Sequence, residues 1–357
     1  MTDGFEIRPF DRTASSDDDL RALWVFTNVM IWELLPDETP IPVEDWMKIV
    51  RTTHSTTETL KWVVWDGTGR RVLGSCNLSL AVYDVENATL YISIDPSIRR
   101  RGFGRRMLEL AAEAADSRGR KVLKTHSNER CPAGASFLEN AGARRESESH
   151  TNRLLLSDLD EELVKSWLEL PRDDCPEFEM LAWHDGIPED HVEDARDFFQ
   201  EIYDAEPPRE GVPRTELLHT TEMVRDWNGT FTAGGNRSLA LAAISRGECR
   251  LMGYTMVSWH PSKPGFVNQW FTGVRPGYRH RGLARRLKAE MLGTIRREVP
   301  EAESIRTGND DSNSGILAIN RELGFEPFIA RTDWALDVAT VRARLQDIAV
   351  KDCPSDG

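Results

Sequence analysis

Cysteine is scarce and scattered in this chain. Its five residues, Cys76, Cys131, Cys175, Cys249 and Cys353, are odd in number and nowhere spaced C-x-x-C, which argues against a disulfide framework and against a structural zinc site. No run approaches the ~20 apolar residues needed to cross a bilayer. The N-terminus, Met1-Thr-Asp-Gly-Phe-Glu, is acidic and lacks the apolar core of a secretory signal. These absences point to a cytoplasmic protein with no membrane partner and no metal. Positive charge is lacking too: the net charge is −14, which repels nucleic acid at long range and draws in cationic amines until salt screens the field.

What is present suits a folded protein. Hydrophobic residues make up 39% and charged residues 29% of the chain, an ordinary soluble balance. A length of 357 residues exceeds what one core usually organises, so two domains are expected. Self-similarity divides them. Ile94-Asp-Pro-Ser-Ile-Arg99-Arg100-Arg101-Gly102-Phe103-Gly104-Arg105-Arg106 matches Val274-Arg-Pro-Gly-Tyr-Arg279-His280-Arg281-Gly282-Leu283-Ala284-Arg285-Arg286 at the β-branched residue, the proline, four arginines and the first glycine. A second pair follows: Phe137-Leu-Glu-Asn-Ala-Gly142 lies 40 residues after the first loop (142 − 102), and Ile319-Asn-Arg-Glu-Leu-Gly324 lies 42 after the second (324 − 282). Near-constant internal spacing argues for duplication.

An apolar, β-rich run precedes each loop, Ala88 to Ile94 and Gln269 to Val274, and apolar residues at three-to-four spacing follow it. Each loop thus joins a strand to a helix. Short strands at Lys121 to His126 and Ser304 to Thr307 come next, then helices stopped by Gly142 and Gly324. The seam falls in 158–176, where an acidic amphipathic stretch runs into Pro171-Arg-Asp-Asp-Cys-Pro176. The expected layout is an N-terminal domain over 1–157, a linker over 158–176, a C-terminal domain over 177–349 and a tail over 350–357.

A glycine turn that opens a helix gathers backbone N–H groups and the positive end of the helix dipole at one point, where a phosphate can sit. Arginines beside it add fork-shaped donors. Neither loop is a Walker A, because no Gly-Lys-Ser/Thr follows, and neither is G-x-G-x-x-G, because Met107 and Leu287 stand at the third glycine. Both fit R-x-x-G-x-G/A.

That pattern, twice present in the same context, resembles the GNAT (GCN5-related N-acetyltransferase) superfamily across nearly the whole chain. The resemblance implies an α+β fold of two domains, each with a mostly antiparallel, splayed sheet flanked by helices. It implies acetyl-CoA as co-substrate. Its pyrophosphate would be held by the amides from Arg100 to Arg105 and from His280 to Arg285, with Arg99, Arg101, Gly102, Phe103, Gly104, Arg279, Arg281, Gly282, Leu283 and Ala284 in the two loops. The pantetheine arm would pair with the strand at Ile92 to Ile94 and at Thr272 to Val274. The amide of Ile92 or Thr272 would polarise the thioester carbonyl, a donor that acyl transfer needs.

The family's expected acid and base do not carry over. Its tyrosine four residues before the second glycine is Leu138 here in one half and Asn320 in the other; its asparagine is Cys131 and Asn313; a glutamate found in some members is Ala88 and Asn268. His126 is a candidate base. The second half keeps more polar residues, Thr272, Asn309, Asn313 and Asn320, and is the expected catalytic half. The expected activity is acetylation of a primary amine on a small molecule or peptide, with a cationic acceptor suited to the acidic chain, by direct attack in a monomer or homodimer. The alternatives are an acyl-CoA-binding or assembly protein with one or both domains silent, and transfer of another acyl group.

Overall fold

The computed structural model describes residues 4–170, 175–206, 218–310 and 314–351. The first half of the chain runs β1 (Glu6–Pro9), α1 (Asp17–Leu34), α2 (Val43–Arg51), β2 (Thr57–Trp65), β3 (Val72–Ala81), β4 (Asn87–Ile94), α3 (Phe103–Asp116), β5 (Val122–Asn128), α4 (Pro132–Ala141) and β6 (Arg144–Leu155). The second half runs α5 (Glu161–Leu168), β7 (Phe178–His184), α6 (Val192–Asp204), α7 (Thr221–Thr232), β8 (Arg237–Ser245), β9 (Leu251–Trp259), β10 (Phe266–Val274), α8 (Leu283–Glu298), β11 (Ser304–Asp310), α9 (Ser314–Glu322), β12 (Glu326–Asp337) and α10 (Val338–Lys351). The class is α+β, as the repeat and its resemblance imply.

Two compact units result. Unit 1 takes the chain up to Glu148 together with Arg331 onward; unit 2 is Ser149–Ala330. The sheet of unit 1 has the order β1-β2-β3-β4-β5-β12, antiparallel except for the parallel pair β4–β5. Unit 2 repeats this with β7-β8-β9-β10-β11-β6, and β10–β11 is its parallel pair.

Strand periodicity explains the layering, because alternate side chains leave a strand on opposite faces. In β2, Val64 joins the core formed with α3, while Val63 and Trp65 join the one formed with α1 and α2. In β8, Leu239, Leu241 and Ala243 face α5 and α8, and Ala240, Ala242 and Ile244 face α6 and α7. Each sheet is therefore covered on both faces.

The last strand of each unit comes from the other half of the chain. Leu154 of β6 is fully buried in the α8 core of unit 2, and Ile305 of β11 is its cross-strand partner. Trp334 and Leu336 of β12, with Val338 and Val341 of α10, complete the α3 core of unit 1. The Trp334 Nε1 donates to Ser127 Oγ at 2.9 Å. The unit boundary thus falls at 148/149 and 330/331 rather than at 157 and 177. Nor is 158–176 a bare linker. It contains α5, capped by the Asp160 carboxylate accepting from the amides of Glu162 and Leu163, and Val164 and Trp167 are buried against α8. An amphipathic stretch of that length must bury its apolar side, and the adjoining helix supplies the surface. At the other end α10 continues to Lys351, and the rest of the expected tail lies outside the described residues.

The exchange predicts where a distant substitution acts. Leu336→Ala removes a fully buried side chain and should cost about 2–5 kcal/mol. Limited proteolysis should then open peptide bonds between residues 57 and 141 before those between 237 and 322; the reverse order would disprove the exchanged strand.

Candidate functional site

The parallel strands of each unit pair only at one end. Asn87, Ala88 and Thr89 of β4 pair with Val122, Leu123 and Lys124 of β5, and Phe266 to Gln269 of β10 pair with Ser304 to Thr307 of β11. Beyond those residues β4 runs on to Ile94 and β5 to Asn128, while β10 runs on to Val274 and β11 to Asp310, with no further pairing between them. A wedge opens in each sheet, edged by strand backbone. Unpaired N–H and C=O groups there are obliged to find partners, and an extended ligand carrying amides of its own can supply them.

Each wedge leads to the expected loop. In unit 1, Arg100 has φ 64° and Gly102 φ 87°; in unit 2, His280 has φ 64° and Gly282 φ 89°. Two left-handed residues two apart turn the chain so that successive amides point inward at the start of α3 and of α8, a concavity suited to an anion. Gly102 and Gly282 are the N-caps of those helices. Leu283 and Phe103 are buried beneath the loops, Phe103 in an edge-on contact with Phe5 at 5.6 Å.

The arginines divide into anchors and exposed groups. Arg99 Nε donates to the Ile94 carbonyl at 2.9 Å, and Arg279 Nε donates to the Val274 carbonyl at 3.1 Å, tying each loop to the end of its strand. The Arg99 fork is further engaged by Glu33, at 2.6 and 2.5 Å, and that hydrogen-bonded pair raises its already high pKa. Arg99 is thus a loop anchor rather than a free phosphate donor. Arg285 is held by Glu322 at 2.7 Å and lies over the Trp167 ring. Arg101 is exposed, over Phe5. Arg105 stands near Glu109 at 4.0 Å.

The two loops differ in what lies against them. A side chain added at Gly102 would meet nothing within 4 Å, and one at Gly282 would meet Leu170 at 3.1 Å. A Cβ added at Gly104 would meet the Phe137 ring at 3.4 Å, whereas unit 2 carries Ala284 at the same position. The first loop is open to solvent; the second is flanked by the chain just after α5.

The strand before each loop differs as well. Ile94 pairs with Gly74 and Thr89 with Ser79 without interruption. In unit 2, Val274 pairs with Gly253 and Asn268 with Ser258, but the register shifts between Gln269 and Phe271. Trp270 is the extra residue, a β-bulge. Counting six residues back from Val274 therefore reaches Asn268, whose partner Ser258 corresponds to Ser79 and hence to Thr89, not to Ala88. Asn268 lies on the sheet face away from α8, between buried Val267 and Gln269.

Behind the bulge is a polar group no motif announced. Lys288 Nζ, 2% exposed, donates to Gln269 Oε1 at 2.6 Å. Gln269 Nε2 donates to the hydroxyls of Thr255 and Thr272 at 3.2 and 3.3 Å. Thr255 donates to the Phe271 carbonyl at 3.1 Å, so the 2.8 Å contact between the two hydroxyls has Thr272 as donor. The Thr272 hydroxyl is fully committed, which leaves its backbone amide for any ligand. Unit 1 has Leu108, Leu90, Cys76 and Ile92 at the same places.

Other expected residues are placed less favourably for catalysis. Asn320 on α9 is 2% exposed, sealed by the packing of its helix, so its amide reaches no open surface. Asn313 lies outside the described residues; Asn309 lies on β11, opposite His150. His126 on β5 meets the Tyr91 ring edge-on at 5.2 Å. Burial first, and then the Arg331 charge, pull its pKa to about 4, against the opposing pull of Asp333. It is neutral at pH 7 but a weak proton acceptor. The cation on this face is neutralised in unit 1, where Lys124 meets Glu146 at 2.6 Å. In unit 2 the two positions are Arg306 and Phe328, in a cation–π contact at 5.2 Å, and Arg153, cross-strand from Arg306, lies 4.4 Å from the same ring. Among the described residues no group of three or more His, Cys, Asp or Glu side chains is gathered to hold a metal, and no helix is long and apolar enough to cross a membrane.

Residues 23–135 match the model of the Acetyltransferase (GNAT) family. No curated protein matches the chain. Among solved structures, it is similar to a tandem GNAT protein from the clavulanic acid biosynthesis pathway, with 23% identity over 94% of this chain and 98% of that one and a TM-score of 0.73. It is also similar to a GCN5-related N-acetyltransferase from Sphaerobacter thermophilus, with 15% identity over 94% and 96% and a TM-score of 0.62. At these identities the likeness establishes the shared fold.

The His126 environment gives a signed pH dependence. Its pKa is lowered by folding, so the unfolded chain binds the proton more readily; the neutral ring favours the fold above about pH 6.5, and that advantage is lost as pH falls towards about 4. In His126→Phe the melting temperature of unit 1 should fall less steeply over that interval. Parallel curves for parent and variant would show that the ring is not held neutral.

Proposed function

We propose that this chain, a tandem GNAT-fold protein whose residues 23–135 match the acetyltransferase family, moves the acetyl group of acetyl-CoA to a primary amine of a small molecule or peptide. The observation that carries the reading is the pairing, in both units, of a backbone-edged wedge with a loop of two left-handed residues at a helix N-terminus. The loop amides suit a pyrophosphate, and the wedge suits the amide-bearing arm that follows it. Where the arm ends, the amide of Thr272 or Ile92 faces the thioester carbonyl.

The chemistry asked of the protein is modest. The neutral amine attacks the carbonyl carbon, a C–N bond forms, the C–S bond breaks, and the amine's proton passes by water to the departing thiolate or to solvent. The chain's share is orientation and a donor for the oxygen that gains charge. We assign that role to unit 2, whose bulge and hydroxyl network shape the strand at Thr272. Unit 1, with an uninterrupted β4 and an apolar wall of Ile92, Leu90 and Leu108, supports a second reading as a CoA-binding module without turnover.

Calorimetry and thiol release test this together. Parent protein should bind two equivalents of acetyl-CoA; Gly102→Trp and Gly282→Trp should each bind one. Release of CoA with an amine panel should survive Gly102→Trp and be lost in Gly282→Trp. Turnover that persists when both glycines are replaced would sink the proposal, and turnover lost only with Gly102→Trp would move the chemistry to unit 1. Competition among acetyl-, propionyl- and succinyl-CoA fixes the acyl group.

A further inference from the structure

We propose that Lys288 is a positioning residue for the thioester site of unit 2: through Gln269 and Thr255 it holds the Phe271–Thr272 peptide with its N–H turned into the wedge. The inference rests on the functional reading above and names the side chain that readies its donor.

The geometry runs as a chain of determined choices. Burial draws the Lys288 pKa down to about 7, and, charged or neutral, its Nζ donates to the Gln269 oxygen at 2.6 Å, which fixes that end of the amide. The amide nitrogen must then face the two threonine hydroxyls. Thr255 already accepts from that nitrogen and from Thr272, so its own proton goes to the Phe271 carbonyl. Thr255 stands on β9, on one side of β10. In a trans peptide the C=O and the following N–H point in opposite directions. A Phe271 carbonyl drawn towards β9 therefore leaves the Thr272 N–H pointing away from β9, to the side where β10 and β11 have parted.

The molecule contains its own control. Unit 1 has the same strand order, the same loop angles and an equivalent helix, with Leu108, Leu90, Cys76 and Ile92 where unit 2 has Lys288, Gln269, Thr255 and Thr272. Cys76 directs its weak donor at the Met107 carbonyl of α3 instead of at β4. Unit 1 also lacks the bulge. An apolar set therefore folds perfectly well at these places, and packing alone gives no reason for the polar one. The polar set carries a penalty, because Lys288 is buried among Met291, Leu292, Ile295, Ile305, Leu323 and the Phe325 ring, and none of these is a carboxylate. A buried amine with no carboxylate beside it costs stability that an apolar side chain in the same place would not.

The test uses full-length protein carrying Gly102→Trp, so that acetyl-CoA enters unit 2 alone. Two variants are compared with this parent: Lys288→Leu, and the fourfold change Lys288→Leu, Gln269→Leu, Thr255→Cys, Thr272→Ile, which installs the residues of unit 1. The fourfold variant should melt at the same temperature as the parent or higher, and it decides the matter if the single variant does not fold. The readout is the infrared carbonyl stretch of bound acetyl-CoA labelled with 13C in the acetyl group, which falls when an N–H donates to that oxygen. It should lie below the free value in the parent and return towards it in the variants. The ratio of acetyl-CoA to CoA affinity should fall about fivefold, the worth of one hydrogen bond, with CoA affinity itself unchanged. An unaltered stretch and ratio in the fourfold variant would overturn the proposal and leave Lys288 as a core residue. If the parent binds no acetyl-CoA, the functional reading fails first and takes the proposal with it, an outcome told apart because the parent rather than the variant is silent.

Discussion

The divergence of one parallel strand pair is the constraint on which each unit depends. Antiparallel neighbours keep the other strands in register along their length, but β4 leaves β5 after Thr89, and β10 leaves β11 after Gln269. From there on each strand edge has backbone groups with no strand to meet. The following loop then has to reverse the chain and start a helix within a few residues, which forces left-handed conformations at Arg100 and Gly102, and at His280 and Gly282. Only glycine accepts that backbone without strain; Arg100 and His280 accept it at a small cost. Wedge and loop are two results of one departure from regular pairing.

Around that common frame the two units have been built differently. Unit 1 keeps an open loop, an uninterrupted strand and an apolar wall. Its polar groups are spent on anchoring, Glu33 on Arg99 and Glu146 on Lys124. Unit 2 has its loop beside Leu170, a bulged strand, and a lysine inside its core. Interiors tolerate polar groups when every one is bonded, and the Lys288 chain meets that condition by ending on a backbone carbonyl next to the bulge. The costly feature and the irregular feature occur in the same unit and at the same place.

Much of this was readable from residue order. The two loops could be found because glycine is needed where φ is positive and because the same need recurs 180 residues later (282 − 102). The strand-to-helix junctions and the helix stops at Gly142 and Gly324 followed from periodicity. Three things were hidden. The bulge at Trp270 leaves no trace in composition and moves Asn268 by one position, enough to put it on the opposite face. Lys288 did carry a signal, since it lies at helical spacing with Met291, Leu292 and Ile295, but a lysine in an apolar stripe is usually taken to reach for solvent. Asn320 looked catalytic from its spacing and is buried instead, because spacing fixes which side of a helix a residue is on and not whether that side is open.

The exchange of last strands was beyond reach from sequence, because β6 and β12 follow their glycine-ended helices at equal distances and either pairing would satisfy both patterns. Its consequence concerns the order in which the chain becomes native during synthesis. Leu123 and its cross-strand partner Leu336 are 213 residues apart (336 − 123), and Val338 and Val341 close the same core. Although its first strands are made early, unit 1 cannot finish until the chain through Val341 has left the ribosome. Unit 2, whose residues are contiguous from Ser149 to Ala330, can be complete while the earlier unit still waits with one sheet edge bare. Such long-range closure is slow, and in this protein the N-terminal half is the one whose exposed strand needs guarding in the meantime.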